Sequence, residues 1–484
     1  MMRSKVLFFF LLGILNHATG QRITDDIFTL PDTARPFTIE NFYFLVIGNH
    51  PIAKQTRLLS DVARQEIRLA RGNFDPKIEV QYLKKEFGET EYYQVFNGGV
   101  SVPTILPFDP KIGVERNEGQ YLNPERFIAN DFNFRQFYAG ISMPLGRGLI
   151  TDERRIALRQ AELFQDLTEA EQVKQINYLL LSAAKDYWSW YNAYYNFRLL
   201  AKGVEVANEI FLRTKINAEL GEAAAIDTVQ AKITLQQRLI EQQEAILDFQ
   251  NTGIILSTYL WDSLSNPLAL TPSMVPVLQR DLLVLTALEL NALTEQARAN
   301  HPELRKLSIK LLQLENERRL AAEFLKPRLD VNYSFLNQPF DPDWNTNFSL
   351  GNNYKFGLDF SFPVLLRKER SKLALTRLKI SGTQYERNMA ERQIVNDVNA
   401  THNMLVNTAA IMNNQTDMVN NYERLLQAEI LNFENGESDL FRINIQQERL
   451  IQAQTKLVKL MADYEKQKAM LYWAAGVRNL GAVN

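Results

Sequence analysis

The chain of 484 residues contains no cysteine. That excludes disulfides, thiolate zinc sites, a cysteine nucleophile and lipid attachment through an N-terminal cysteine. Histidine is nearly as scarce, with His17, His50, His301 and His402 making up all four. His17 falls in the leader described below, His50 and His301 open equivalent helices, and His402 stands by itself on a long helix, so no metal site is expected. No triad, phosphate loop or carboxylate pair of catalytic spacing occurs, so neither an enzyme nor a cofactor is expected. A formal charge of −2 without a dense basic patch argues against a nucleic-acid partner. Past the leader, no stretch approaches the roughly 20 apolar residues of a membrane-crossing helix.

What is present begins at the N-terminus. Arg3 and Lys5 precede an apolar run from Val6 to Leu15, and Ala18-Thr19-Gly20 supplies small residues before Gln21. Residues 1–20 read as a secretory signal peptide, and residues 21–37, with Pro31 and Pro36, as an extended segment.

From Asp152 to Glu219 there is no proline, and the only glycine is Gly203. Val173, Ile176, Leu180, Ala183, Tyr187, Trp190, Tyr194, Phe197, Ala201, Val204, Asn208 and Phe211 step by three and four, the seam of a coiled-coil helix. Some 67 residues at 1.5 Å each make a rod roughly 100 Å long. Tyr187, Trp188, Trp190, Tyr191, Tyr194 and Tyr195 sit near its midpoint, where packing against other elements is expected rather than a ligand.

The chain is a tandem duplication. Asn49–Tyr82 aligns without a gap on Asn300–Tyr333, and ten of 34 positions are identical, among them Asn-His-Pro at the start and Pro76/Pro327. Gly221-Glu222 recurs as Gly436-Glu437. The first repeat covers 38–266, with strands at about 78–87 and 137–145 and a helical hairpin turning near 221. An equatorial connector spans 267–287. The second repeat covers 288–477, with strands at about 329–336 and 355–362 and a hairpin turning near 436, before a tail over 478–484. Each long helix (152–219 and about 367–432) is expected to pair with a shorter returning one, 226–261 or 440–475. Charges along the long helices, such as Glu153-Arg154-Arg155, read as solvated flanks.

The strands alternate with period two. Val331, Tyr333 and Phe335 share one face, as do Leu358 and Phe360, with Phe362 continuing the series. A sheet half-buried on a soluble core gives this pattern. So does a sheet with one face on lipid and one on a lumen, and the aromatic face and signal peptide favour that reading. Four strands cannot close a barrel, and an open edge cannot face lipid. Two copies would give eight strands with a filled interior, whereas three give twelve and a passage.

These features together resemble the TolC-like outer-membrane efflux proteins. Their carriers are the Asn-x-Pro helix starts at Asn49 and Asn300, the helix–Pro–strand step, the strand ending Phe360-Ser361-Phe362-Pro363, the two Gly turns and the duplication, from about Thr38 to Val477. The resemblance implies an α plus transmembrane β fold: a homotrimer with a twelve-stranded barrel in outer-membrane lipid and a periplasm-spanning α-helical coiled-coil barrel. It implies a passive exit duct of a tripartite efflux or type I secretion system, docked on a periplasmic adaptor and an inner-membrane pump. The docking tips correspond to Leu220, Gly221 and Glu222 and to Asn435, Gly436 and Glu437. Some members gate the entrance with two aspartates just after the second tip; Arg442 and Ile445 stand there instead, which leaves Asp227 and Asp439 as the acids that could line it.

The sequence departs from the pattern between the first two strands, where about 50 residues, 88–133, replace a short loop. A cap on the barrel mouth, an inward constriction and added strands such as Lys111–Arg116 all remain open. A rival of another class is a periplasmic coiled-coil adaptor or scaffold carrying a small soluble β domain. In that case the strand face packs on a protein core.

Overall fold

A computed structural model describes residues 34–128, 134–221, 224–277, 283, 285–337 and 353–477. The signal peptide, Glu222 and the tail lie outside the described residues. Sixteen strands and helices follow one another as β1 (Arg35–Phe37), α1 (Ile39–Asn49), α2 (Pro51–Arg71), β2 (Lys77–Phe87), β3 (Thr90–Ser101), β4 (Asp109–Glu118), β5 (Arg135–Pro144), α3 (Glu153–Glu219), α4 (Ala225–Ser257), β6 (Met274–Pro276), α5 (Ala287–Asn300), α6 (Pro302–Glu323), β7 (Arg328–Asn337), β8 (Tyr354–Ser361), α7 (Arg367–Glu434) and α8 (Leu440–Ala474). No described helix is long and apolar enough to cross a membrane.

The duplication is visible in atomic detail. His50 Nδ1 accepts from the Ile52 amide and His301 Nδ1 from the Glu303 amide, each at 3.2 Å. In both places proline follows at the first helical position, where a missing N–H costs nothing. The returning helix of the first repeat ends at Ser257, four residues short of the expected 261, because the chain turns there through Thr258 and Tyr259.

Two compact units form. One takes the chain up to Val46, Ser182–Val284 and Asn403–Ala469; the other takes Ile47–Leu181, Leu285–His402 and the chain from Met470 on. Each therefore draws on both repeats.

The second unit holds one antiparallel sheet in the order β2-β3-β4-β5-β7-β8. Four strands per chain were expected, and six are present. Residues 88–133 supply the additional pair, β3 and β4, inserted between β2 and β5. With 12 and 10 residues they are long enough for the roughly 9–11 residues of a membrane-crossing strand. Their turn is anchored. Arg154 Nη2 lies 3.1 Å from Asp109 Oδ2, and Arg155 donates to the carbonyls of Leu106 and Leu149 at 2.8 Å each. Arg154 and Arg155 are thus not solvated flanks, as their place on a long helix suggested; the partners that tie them to the turn, Asp109 and Leu106, lie 45 and 49 residues back in the chain.

In the first unit α3 loses its single seam and is buried almost all round between Ala183 and Tyr195. Trp190, Tyr187 and Tyr191 are fully enclosed. Tyr187 Oη donates to the Phe37 carbonyl at 2.6 Å, and its ring stacks on Phe42. Burial pushes the Tyr187 hydroxyl well above the ordinary tyrosine value. The midpoint aromatics are packing residues. They support a two-stranded parallel sheet, β1 on β6, joining the segments that precede the two repeats. Within the connector, β6 and the Trp261–Pro267 bridge give local order.

Around α8 the first unit builds a coiled-coil core. Ile443, Leu450, Ala453 and Leu457 of α8 meet Val419 and Leu426 of α7, with Ile210 of α3 against them. Gly203 of α3 lets Ile451 approach so closely that a Cβ would stand 3.2 Å from it. On the α4 side, Arg238 is buried and pairs with Glu241 at 2.7 Å and with Glu448 of α8. Burial alone would raise the Glu448 carboxyl, but the guanidinium more than offsets this and holds it below the ordinary range. The α8 helix therefore touches three helices, whereas α4 and α7 keep uncovered faces.

Candidate functional site

Each hairpin turns where glycine is required. Gly221 has φ +79° and Gly436 φ +78°, the left-handed region closed to most residues. At the second turn the Glu437 amide donates to the Asn432 carbonyl at 2.8 Å and the Gly436 amide to Phe433 at 3.0 Å, the two bonds of a Schellman cap. At the first, Gly221 donates to Ala218 at 3.1 Å. Leu220, Gly221, Asn435, Gly436 and Glu437 are all exposed.

The acids near the turns are engaged as helix caps. Asp439 Oδ1 accepts from the Arg442 amide at 2.8 Å, and Asp227 Oδ2 accepts from the Ala224 amide at 3.2 Å. A carboxylate there satisfies orphan amides and the helix dipole. Arg442 is exposed, with its Nε 3.9 Å from Asp439, and Ile445 is half-buried. Exposed apolar residues flank both turns: Leu220 and Ile226 at the first, Leu431 and Phe441 at the second. Sequence reasoning passed over Ile226, Leu431 and Phe441; an apolar residue beside a Gly turn, off the buried seam, was the available signal. Among the described residues no cluster of three or more His, Asp or Glu side chains could hold a metal.

The sheet has two chemically distinct faces, and the register carries each across all six strands. One row runs Ile78–Val100–Ile112–Ala139–Phe335–Tyr354. The rows beside it on that face add Val80, Val114, Phe137, Ile141, Tyr333, Phe356, Val331 and Leu358. The opposite face carries Lys77, Glu79, Lys111, Glu115, Gln136, Asn332, Asp330, Lys355 and Asp359. Val331, Tyr333, Phe335, Leu358 and Phe360 thus share one face; Phe362 lies just past the end of β8 and is exposed. Leu358 and Phe360 are 58% and 67% exposed, so no helix of the chain covers them.

Uncovered stripes also mark the helices. On α4, Ile226, Ile233, Ile240, Leu247 and Ile254 recur every seventh residue and are 57–69% exposed. On α7, Met404, Ile411, Met418 and Leu425 do the same at 38–52%. A seven-residue apolar repeat is a coiled-coil seam, and both seams lack a partner among the described residues.

Residues 293–477, the greater part of the second repeat, match the family model described as outer membrane efflux protein. No curated protein sequence matches the chain. Among solved structures, the fold matches the Campylobacter jejuni CmeC outer membrane channel with a TM-score of 0.63 at 12% identity, covering 92% of this chain and 87% of that one. It matches the Vibrio cholerae outer membrane protein VceC with a TM-score of 0.62 at 13% identity, over 90% and 96% of the two chains. The open state of the Neisseria gonorrhoeae MtrE outer membrane channel gives 0.65 at 12% identity, over 90% and 88%. The fold is that of TolC-like outer-membrane channels, with an antiparallel barrel sheet and long paired helices.

Proposed function

We propose that this chain is one protomer of a trimeric outer-membrane duct that passes cargo out of the cell without chemistry of its own. The observation that carries the reading is the continuous apolar face of the sheet, left open to its surroundings. At about 25 cal/mol per Å² of apolar surface, such a face is costly in water and favourable in lipid. In the rival soluble scaffold the same residues would be covered by protein, and in this chain they are not. Val331, Tyr333, Phe335, Leu358 and Phe360 take the lipid-facing role, with Phe362 at the membrane edge.

The two Gly turns, with their exposed Leu220, Ile226, Leu431 and Phe441, are the sites where a periplasmic adaptor engages, and the adaptor links the duct to an inner-membrane pump. The seam on α4 of one copy meets the seam on α7 of the next. Three copies follow from the family resemblance. Strand number no longer selects them, since two copies of six strands would also close a passage. Asp227 and Asp439 serve as caps, and Arg442 stands at the family's acidic position, so the gate of this entrance does not rest on the family's aspartate pair.

Native mass spectrometry from detergent micelles tests this directly. Three copies with bound detergent are expected, released only when the membrane is dissolved. A monomer that stays dispersed without detergent would support the scaffold instead.

A further inference from the structure

The six-strand sheet of the second unit ends in two unpaired edges, β2 and β8, and every residue of β2 is exposed. If the apolar face lies in lipid, neither row of backbone amides and carbonyls can remain open there. The occupant of each edge must be another strand that continues the same two faces. A second copy of this chain supplies one. From β2 to β8 the strands alternate in direction, so β8 of one copy meets β2 of the next antiparallel, apolar face to apolar face.

We propose that all six strands cross the membrane, so that three copies close an eighteen-stranded barrel whose seams place Phe360 of one copy opposite Ile78 of the next. The inference rests on the trimeric duct reading and departs from the twelve strands that the family resemblance implies.

The inserted pair β3–β4 is built as barrel wall rather than as a loop outside. Its apolar residues Phe96, Val100, Ile112 and Val114 continue the lipid-side rows, and Asn97, Lys111 and Glu115 continue the polar ones. On the polar face the Tyr138 ring of β5 lies across the inserted strands. Its Oη donates to Asn97 Oδ1 at 3.1 Å, and a Cβ on Gly99 or Gly113 would come within 2.5 Å of that oxygen. The β3–β4 turn is held by Arg154 and Arg155 at the start of α3, so the pair runs the full height of the sheet.

The register at the seam follows from closure. The row that starts at Ile78, near the foot of β2, reaches Tyr354 at the opposite end of β8. To meet Ile78 of the next copy, the path must return along β8 by an even number of residues, or the faces would swap. A return of about six residues at 3.4 Å, over six strand spacings of about 4.8 Å, tilts the strands by roughly 35°. A return of about four gives roughly 25°, below the 35–45° of closed barrels. A return of about eight passes the end of β8 at Ser361. Six residues beyond Tyr354 stands Phe360, and the same register sets Phe356 beside Tyr82, an aromatic cross-strand pair. Barrel diameter grows about in proportion to strand number, so the lumen is roughly half again as wide as that of a twelve-stranded barrel.

The absence of native cysteine makes the test clean. Single variants Phe96→Cys, Lys111→Cys, Ile112→Cys and Glu115→Cys, each confirmed as membrane-inserted trimers, are labelled in whole membranes with a charged maleimide. Lys111→Cys and Glu115→Cys should react roughly tenfold faster than Phe96→Cys and Ile112→Cys, through the lumen. A chain carrying both Ile78→Cys and Phe360→Cys should oxidise to covalent two-copy and three-copy bands. Trimers in which all four hairpin positions label equally, or in which Ile78 and Phe360 do not cross-link, overturn the eighteen-stranded barrel and leave the duct reading standing. A native mass of one or two copies overturns both.

Discussion

His301 shows how far a single residue carries the account. Its Nδ1 caps α6, which requires the neutral ring, and burial holds its pKa at about 4 instead of the ordinary 6.5. Glu303 and Asp397 pull the value upward and Lys174 pushes it down, but burial dominates. Because the folded pKa is the lower one, the stability linked to this group is complete above pH 6.5 and is lost as pH falls towards 4. Two and a half pKa units amount to about 3 kcal/mol at most. Thermal unfolding followed between pH 7 and 4 should therefore show a falling midpoint, and His301→Asn, which can still cap the helix, should flatten that fall. A slope unchanged in the variant would assign the pH dependence to other groups. His301 was legible in the sequence because the duplication paired it with His50. Arg154 and Arg155 were not, because a side chain's partner 45 residues away leaves no local pattern.

Helices and strands differ in how plainly the sequence announces them. The long α3 and α7 were readable to within a residue or two from their unbroken periodicity, and the Gly turns from their recurrence. The inserted strands were obscured for a physical reason. On β3 the apolar face holds Phe96 and Val100 around Gly98, and on β4 it holds Pro110, Ile112 and Val114 before Arg116. Glycines that admit Tyr138 thin the alternation that marks a strand. On α4 the side that carries Leu235, Leu239, Ile246 and Phe249 is only partly covered, and Leu239 is exposed. The uncovered seam from Ile226 to Ile254 is the more regular of the two, and on the proposed reading it is where the helix meets another copy. Ile240→Glu should weaken the contact between copies, and Ile411→Lys on the facing helix should restore it in part. Trimer fraction by native mass checks this: a fall in the trimer association constant of roughly tenfold or more corresponds to about 1.4 kcal/mol over the whole trimer, or about 0.5 kcal/mol for each of its three seams. An undisturbed trimer in Ile240→Glu would place that stripe elsewhere than the seam.

For the whole molecule, chemistry is scarce and surfaces are abundant. The described residues offer no metal cluster, and Asp227 and Asp439 near the tips serve as helix caps. What the chain presents instead are an amphipathic sheet with two open edges, two uncovered coiled-coil seams and two exposed Gly turns. On the proposed reading each is an incomplete structure that assembly completes: lipid against the face, a second copy against the edges and seams, an adaptor against the turns. A passive duct needs these surfaces and no catalytic residue. The most direct test is electrical. Purified trimers added to a planar lipid bilayer should insert and raise the current in uniform steps, since a closed barrel with the polar face of Lys111, Glu115, Asp330 and Lys355 inward encloses a water-filled path. Protein that binds or aggregates at the bilayer yet never produces a conductance step, under the same conditions in which its trimer is intact, would contradict the channel.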